Sequence, residues 1–129
     1  MKFAKFPLYG IEDEMEGKQM SELFGASIIM DEIVQNAEAL GIELSKYQRT
    51  DLPKILDGTI DEGNEVALRI AKKFGNRLGM LLLLLKTGLP ENRVAREDWD
   101  ENHWAYWANV ETIFWVGGIA NGRMCDCMP

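Results

Sequence analysis

The sequence is poor in the residues that build metal and redox centres. It has one histidine, His103, and two cysteines, Cys125 and Cys127, in 129 residues. A structural zinc site needs about four ligands, and His103 with the two cysteines falls short of that number. The cysteine pair near the C-terminal end leaves two interpretations, a solvent-exposed tail or a redox pair.

Long apolar runs and an excess of positive charge are also missing. The longest apolar stretch, residues 78–85, is much shorter than the roughly 20 residues that cross a bilayer. Residues 1–6 lack the apolar core and cleavage site of a signal peptide. A net charge of −7 and a pI near 4.7 argue against nucleic-acid and membrane partners. We therefore expect a cytoplasmic protein with a single domain over residues 1–129.

Motifs for a standalone catalytic site are absent as well. The sequence has no Walker-type loop and no recognisable nucleophile–base pair. Carboxylates occur over residues 12–16 and again over 57–62, but nothing brings them to one pocket, so a solvated face is expected. Asp57-Gly58-Thr59 matches the phosphate loops of some kinases only superficially, because we expect it between helices rather than in a hairpin. No catalytic or metal-binding residue is assigned.

Apolar spacing predicts an α/β chain that is predominantly helical, with few strands. A charged connection over residues 91–102, capped by Asp98 or Asp100, is expected to precede the last helix. The predicted elements are a strand over 1–9, a helix over 20–40 that Gly25 can divide and Gly41 caps, a short helix from about Asp51 to Gly58, a long helix from 61 or 64 to 86, a short helix over 103–110, and a strand that includes Ile113 to Val116.

The long helix has the clearest pattern. Its apolar stripe repeats at intervals of three or four residues. The stripe consists of Val66, Ile70, Phe74, Leu78, Leu81 and Leu85. Gly75 and Gly79 lie one turn apart, a spacing that favours close packing of a neighbouring element over direct contact with a ligand.

All four tryptophans lie between residues 99 and 115, together with His103, Tyr106 and Phe114. Such a cluster either stacks on an adenine or a sugar, or forms a small aromatic core or a surface that meets another chain. The shared helical face of Trp104 and Trp107 favours the second interpretation. His103 has no second histidine or nearby cysteine, so a ligand or catalytic role is not expected for it.

A glycine-rich turn follows the last predicted strand, in the sequence IFWVGGIANGRM over residues 113–124. Glycine allows a ligand to approach the backbone closely, so such a turn is a common place for a nucleotide. Two upstream segments strengthen this weak motif through their order and spacing. They are MEGKQMSELFGASIIMDEIVQNAEALG over 15–41 and DLPKILDGTIDEGNEVALRIAKKFGNRLGMLLLLL over 51–85.

Together these three segments resemble the C-terminal portion of the ROK-type sugar kinases and regulators, in the actin-like ATPase superfamily. The resemblance spans about residues 6–124 and implies a partial actin-like (ribonuclease H-like) ATPase lobe. It implies ATP-dependent phosphorylation of a sugar hydroxyl as the parent activity, with ATP and Mg²⁺ as cofactors. The nucleotide-facing residues would be Gly117, Gly118, Ile119 and Ala120.

The departures from this family decide what the chain alone is expected to do. The family's N-terminal lobe, with its phosphate loop and catalytic aspartate, has no counterpart here, and neither has its zinc motif. Segment 89–110 is also longer than the family's link between long helix and strand. We therefore expect an inactive fragment whose partner is the missing N-terminal lobe or a second copy of the chain. The alternative is a helical protein–protein interaction or scaffold domain without a ligand.

Overall fold

Helices dominate the protein. A computed structural model describes residues 18–114, apart from the Ala95 side chain; 74% of these residues are helical and no strand is assigned among them. The helices are α1 (Met20–Leu23), α2 (Ala26–Gln35), α3 (Ala37–Leu40), α4 (Leu52–Asp61), α5 (Glu65–Thr87), α6 (Pro90–Arg93) and α7 (Glu101–Ala108), with 3-10 turns at Leu44–Lys46, Arg49–Asp51 and Val94–Arg96. The predicted helical character is confirmed.

Two compact units make up the described range. One contains residues 24–77, and the other contains residues 18–23 and 78–114. Each unit has its own hydrophobic core. No helix within residues 18–114 is both long and apolar enough to span a membrane.

The core of the 24–77 unit lies between α2, α3, α4 and the first half of α5. Ile33, Leu56 and Phe74 are each fully buried in it, and Phe24 meets Phe74 edge to face at 6.1 Å between ring centroids. At the edge of this core, Lys73 Nζ donates to Glu32 Oε1 at 3.0 Å and joins α5 to α2. Within this unit, Ile70 and Phe74 of the predicted apolar stripe are buried, and Val66 packs against the same core.

The segment predicted as one helix over 20–40 is divided twice. Gly25, at φ 136°, separates α1 from α2, as the sequence suggested. Asn36 makes a second break, where its side-chain amide donates to the Glu32 carbonyl at 2.8 Å. Gly41 closes α3 in the left-handed conformation at φ 71°, which confirms the predicted C-cap.

The prediction that α4 ends near Gly58 is wrong, because the helix continues to Asp61. Thr59 and Ile60 are buried, and the Thr59 hydroxyl donates to the Leu56 carbonyl at 2.8 Å. Burial of these two residues outweighs the low helix propensity of Gly58, which is exposed. Residues 57–59 consequently lie inside a helix and not between helices.

The long helix α5 confirms its prediction with small shifts at both ends. Asn64 caps its start, since its side-chain oxygen accepts from the backbone N–H groups of Val66 and Ala67 at 2.9 and 3.1 Å. Gly88 follows its last residue at φ 54°. Gly75 is buried on this helix and Gly79 is half-buried. The close packing predicted for these two glycines stays a prediction.

The interpretation of residues 91–102 as a connection is also wrong. Pro90 begins α6 instead of merely following α5, because proline needs no N–H partner in a first helical turn. Asn92 in this short helix is fully buried. Of the two predicted caps Asp100 is confirmed, and it places α7 two residues earlier than expected.

The predicted strands fall only partly within the described residues. Residues 111–114 are described and carry no strand assignment, with Ile113 41% and Phe114 85% exposed. The remainder of that predicted strand, from Trp115, and the predicted strand over residues 1–9 lie outside the described residues. The α/β class, as distinct from the helical character, therefore stays a prediction.

Candidate functional site

The nucleotide-facing residues proposed from the sequence are Gly117, Gly118, Ile119 and Ala120. They lie outside the described residues, as do Trp115, Cys125 and Cys127. The described part of the aromatic segment, from Trp99 to Trp107, is the region where the structure brings candidate functional side chains together.

Trp104 is a core residue. It is 3% exposed and packs with Leu23, Leu84 and Leu85 in the core of the 18–23 and 78–114 unit. The half-buried rings of Trp99 and Trp107 pack against the same cluster. The predicted small aromatic core is thus confirmed for Trp104, which stabilises the fold and offers no exposed face to a ligand.

Arg93 fixes the other side of the Trp104 ring. Its Nε donates to the Gly88 carbonyl at 2.7 Å, and its guanidinium carbon lies 5.4 Å from the Trp104 ring centroid. A second nitrogen of this guanidinium pairs with the Glu101 carboxylate in the first turn of α7. One cation therefore ties the end of α5 to the start of α7.

Asp100 and His103 form the N-terminal cap of α7. The Asp100 carboxylate accepts from the backbone N–H groups of Asn102 at 2.9 Å and His103 at 3.1 Å, and His103 Nδ1 lies 2.9 Å from the same oxygen. The pKa of Asp100 is lowered from its ordinary value of 3.8, first by the His103 side chain and then by the His103 backbone N–H. In the structure, His103 therefore stabilises the N-terminal cap of α7.

Stacking fixes the orientation of this cap. The His103 ring lies nearly parallel to Trp99, at 12° and 5.9 Å between centroids. Arg96 covers Trp99 at 4.8 Å and pairs with Asp98 at 2.7 Å. The two arginines that precede α7, Arg93 and Arg96, are thus paired with carboxylates other than that of Asp100.

A shallow cavity of about 420 Å³ opens along the exposed side of α7. We name it the α7 groove; it is lined by Asp100, Asn102, His103, Tyr106 and Trp107. Residues 102 and 106, and 103 and 107, are neighbours one turn apart, so the groove follows the seam between two rows of side chains. Tyr106 is 71% exposed, and its ring meets Trp107 at 83° with centroids 6.4 Å apart.

The sequence identified the aromatic residues of this groove but not the groove itself. Which aromatic rings of α7 face the core and which face solvent becomes clear only once Trp104 is known to be buried. The described residues contain no group of three His, Cys, Asp or Glu side chains positioned to hold a metal ion. What the groove offers chemically is two perpendicular aromatic rings beside one carboxylate.

The comparisons with known proteins add no family to this picture. No family model matches the sequence, and neither the curated proteins nor the solved structures contain a significant match to the chain. The class supported by the described residues is therefore a predominantly helical protein with an aromatic surface groove.

Proposed function

We propose that the chain is the nucleotide-side, C-terminal portion of a ROK-like carbohydrate kinase and is inactive by itself. The parent reaction is ATP-dependent phosphorylation of a sugar hydroxyl. In this proposal Gly117, Gly118, Ile119 and Ala120 face the adenosine of ATP, whose Mg²⁺ and phosphates require the N-terminal lobe of the ROK-type kinases as well.

One observation carries this proposal, the helix pair α4 and α5. The resemblance expects a short helix, an acidic and glycine-containing turn, and then a long helix. The chain has α4 over Leu52–Asp61, a left-handed Gly63 at φ 78° in the turn, and the 23-residue α5. This order supports the family resemblance, while the nucleotide contacts themselves rest on the sequence alone.

Amide NMR of the labelled full chain tests the proposal. Titration with ATP and Mg²⁺ should shift the Gly117 and Gly118 amides, and tripolyphosphate should not, because the retained half-site is on the adenosine side. Glucose, ATP and the chain together should yield no sugar phosphate above a no-protein control. Unchanged amide chemical shifts at both glycines would refute the nucleotide assignment. Formation of glucose phosphate would refute the assignment of inactivity.

A matched pair of glycine variants sharpens this titration. Gly118→Ala adds a methyl group where the backbone is proposed to approach the nucleotide and should weaken the ATP response. Gly58→Ala adds the same group at an exposed helical site with nothing within 4 Å, and should leave the response unchanged. Equal weakening by both variants would contradict a specific role for the turn.

A second candidate function is a helical interaction domain that binds a further copy of the chain. The exposure of four large apolar side chains in the 78–114 segment favours it, with Val94 67% and Tyr106 71% exposed in addition to Ile113 and Phe114. Light scattering over micromolar concentrations should then show a mass that rises towards a dimer, and Val94→Ser should reduce that rise. A monomer throughout this range would exclude self-association of useful strength.

A further inference from the structure

We propose that the α7 groove binds a compact organic cation of the alkylammonium class. The inference does not depend on the proposed kinase ancestry, because it uses only the described residues of α7. Two features carry it, the perpendicular pair of aromatic rings and the carboxylate that lines the same cavity.

The aromatic walls are the first feature. The Tyr106 and Trp107 rings stand at 83° with 6.4 Å between centroids, and both residues line the same depression. Each face carries negative charge density that attracts a cation within about 6 Å of the ring centre. Trp107 is half-buried against the unit core, which fixes one wall before a ligand arrives.

The charge of the groove is the second feature. Asp100 lines the cavity and supplies its one carboxylate, which is held in place by two backbone N–H groups and by His103 Nδ1 at 2.9 Å. Glu101 and Asp98 are paired with Arg93 and Arg96, so the nearby cations are already engaged. The volume of about 420 Å³ accommodates a trimethylammonium group and part of its substituent.

The experiment compares a cation with its uncharged isostere on the full-length chain. Choline and 3,3-dimethyl-1-butanol have the same shape and differ in charge, so the comparison isolates cation recognition from apolar contact. Titration at pH 7.5 and constant chloride should shift the Trp107 indole N–H saturably, with a choline Kd of about 1–10 mM. The alcohol should bind at least about fivefold more weakly. Equal binding of the two, or no saturable shift with 50 mM choline, would overturn the proposal.

Variants of exposed residues locate the site. Tyr106→Leu keeps an apolar side chain without a π-face and should raise the choline Kd about threefold, whereas Tyr106→Phe should stay within about twofold of the unaltered chain. Asp100→Asn retains a good helix-capping group without the charge and should raise the Kd about two- to fivefold. Far-UV circular dichroism checks folding. Should a variant unfold, the choline and alcohol comparison on the unaltered chain still decides the question.

A second titration, with peptides, identifies the source of the cation. A short peptide with one trimethyllysine carries the choline head group on a protein side chain, and the same peptide with unmodified lysine is its control. Tighter binding of the trimethylated peptide than of choline assigns the groove to a methylated protein segment. Tighter binding of choline assigns it to a small molecule. Either order supports the proposed chemistry, and preference for unmodified lysine would refute it.

Discussion

Gly88→Ala should destabilise the 18–23 and 78–114 unit because two separate costs arise at one position. Gly88 has a φ of 54°, in the left-handed region. A Cβ at this position would lie 3.3 Å from Cε3 of Trp104 and 3.4 Å from a terminal nitrogen of Arg93. The Trp104 ring has little room to move, since Trp104 is 3% exposed and packs in the core of the unit.

The expected magnitude follows from adding these costs. The left-handed conformation costs a residue with a Cβ about 1–2 kcal/mol, and crowding a packed ring costs about 1–2 kcal/mol more. We expect the free energy of unfolding to fall by about 2–4 kcal/mol in total. Gly41→Ala is the matched control, because Gly41 has a φ of 71° and a Cβ at this position would have no neighbouring atom within 4 Å, so only the backbone cost of about 1–2 kcal/mol applies.

Native-state hydrogen exchange measures this difference, because it reports the opening free energy of each unit separately. Urea unfolding followed by tryptophan fluorescence gives an independent value. Losses for Gly88→Ala and Gly41→Ala that agree within about 0.5 kcal/mol, the usual tolerance for independent sites, would refute the close-approach argument. Adding Trp104→Leu, which removes the crowded ring edge, should shrink the additional cost of Gly88→Ala in a double-mutant cycle.

Three further predictions concern other contacts. Phe74→Ala should lower the free energy of unfolding of the 24–77 unit by about 3–5 kcal/mol, because removal of a fully buried ring leaves a cavity. A loss under about 1 kcal/mol in urea unfolding would show that this core is loosely packed. A double-mutant cycle on Lys73 and Glu32 should give a coupling of about 0.5–1 kcal/mol that decreases in 1 M NaCl, and a salt-independent value would argue against an ion pair. Because the folded-state pKa of Asp100 is depressed, its stabilising contribution should be complete above about pH 4 and should be lost as the pH falls through the folded-state value. Asp100→Asn should flatten this part of the pH–stability curve, and an unchanged curve would rule out Asp100 as its source.

The sequence predicts α5 well because its evidence is long and redundant. Five turns repeat the same apolar spacing, so an error at one position changes little. The end of α4 is harder to predict, because it depends on a single glycine. Gly58 weakens the helix locally, but the burial of Thr59 and Ile60 is a tertiary effect that no window of sequence contains.

Pro90 shows a different difficulty. Proline after a helix is a good stop signal, and the same residue is also a good first residue for the next helix. The sequence supports both interpretations, and the fold selects the second because α6 brings Arg93 onto Trp104 and the Gly88 carbonyl. The Asp100 cap was predictable from its local pattern, whereas this three-way contact required knowledge of the tertiary fold.

The two roles of the aromatic residues on α7 follow from the geometry of a helix. Consecutive side chains project about 100° apart, so a helix of two turns cannot bury all its rings on one side. Trp104 occupies the core, and Trp107, three residues later, packs against the same core while it remains partly exposed to the groove. Tyr106 is left on the exposed side. Substitutions at Tyr106 should therefore change ligand binding with little effect on folding, and substitutions at Trp104 should change folding first. This separation makes the cation proposal testable whether or not the kinase resemblance holds.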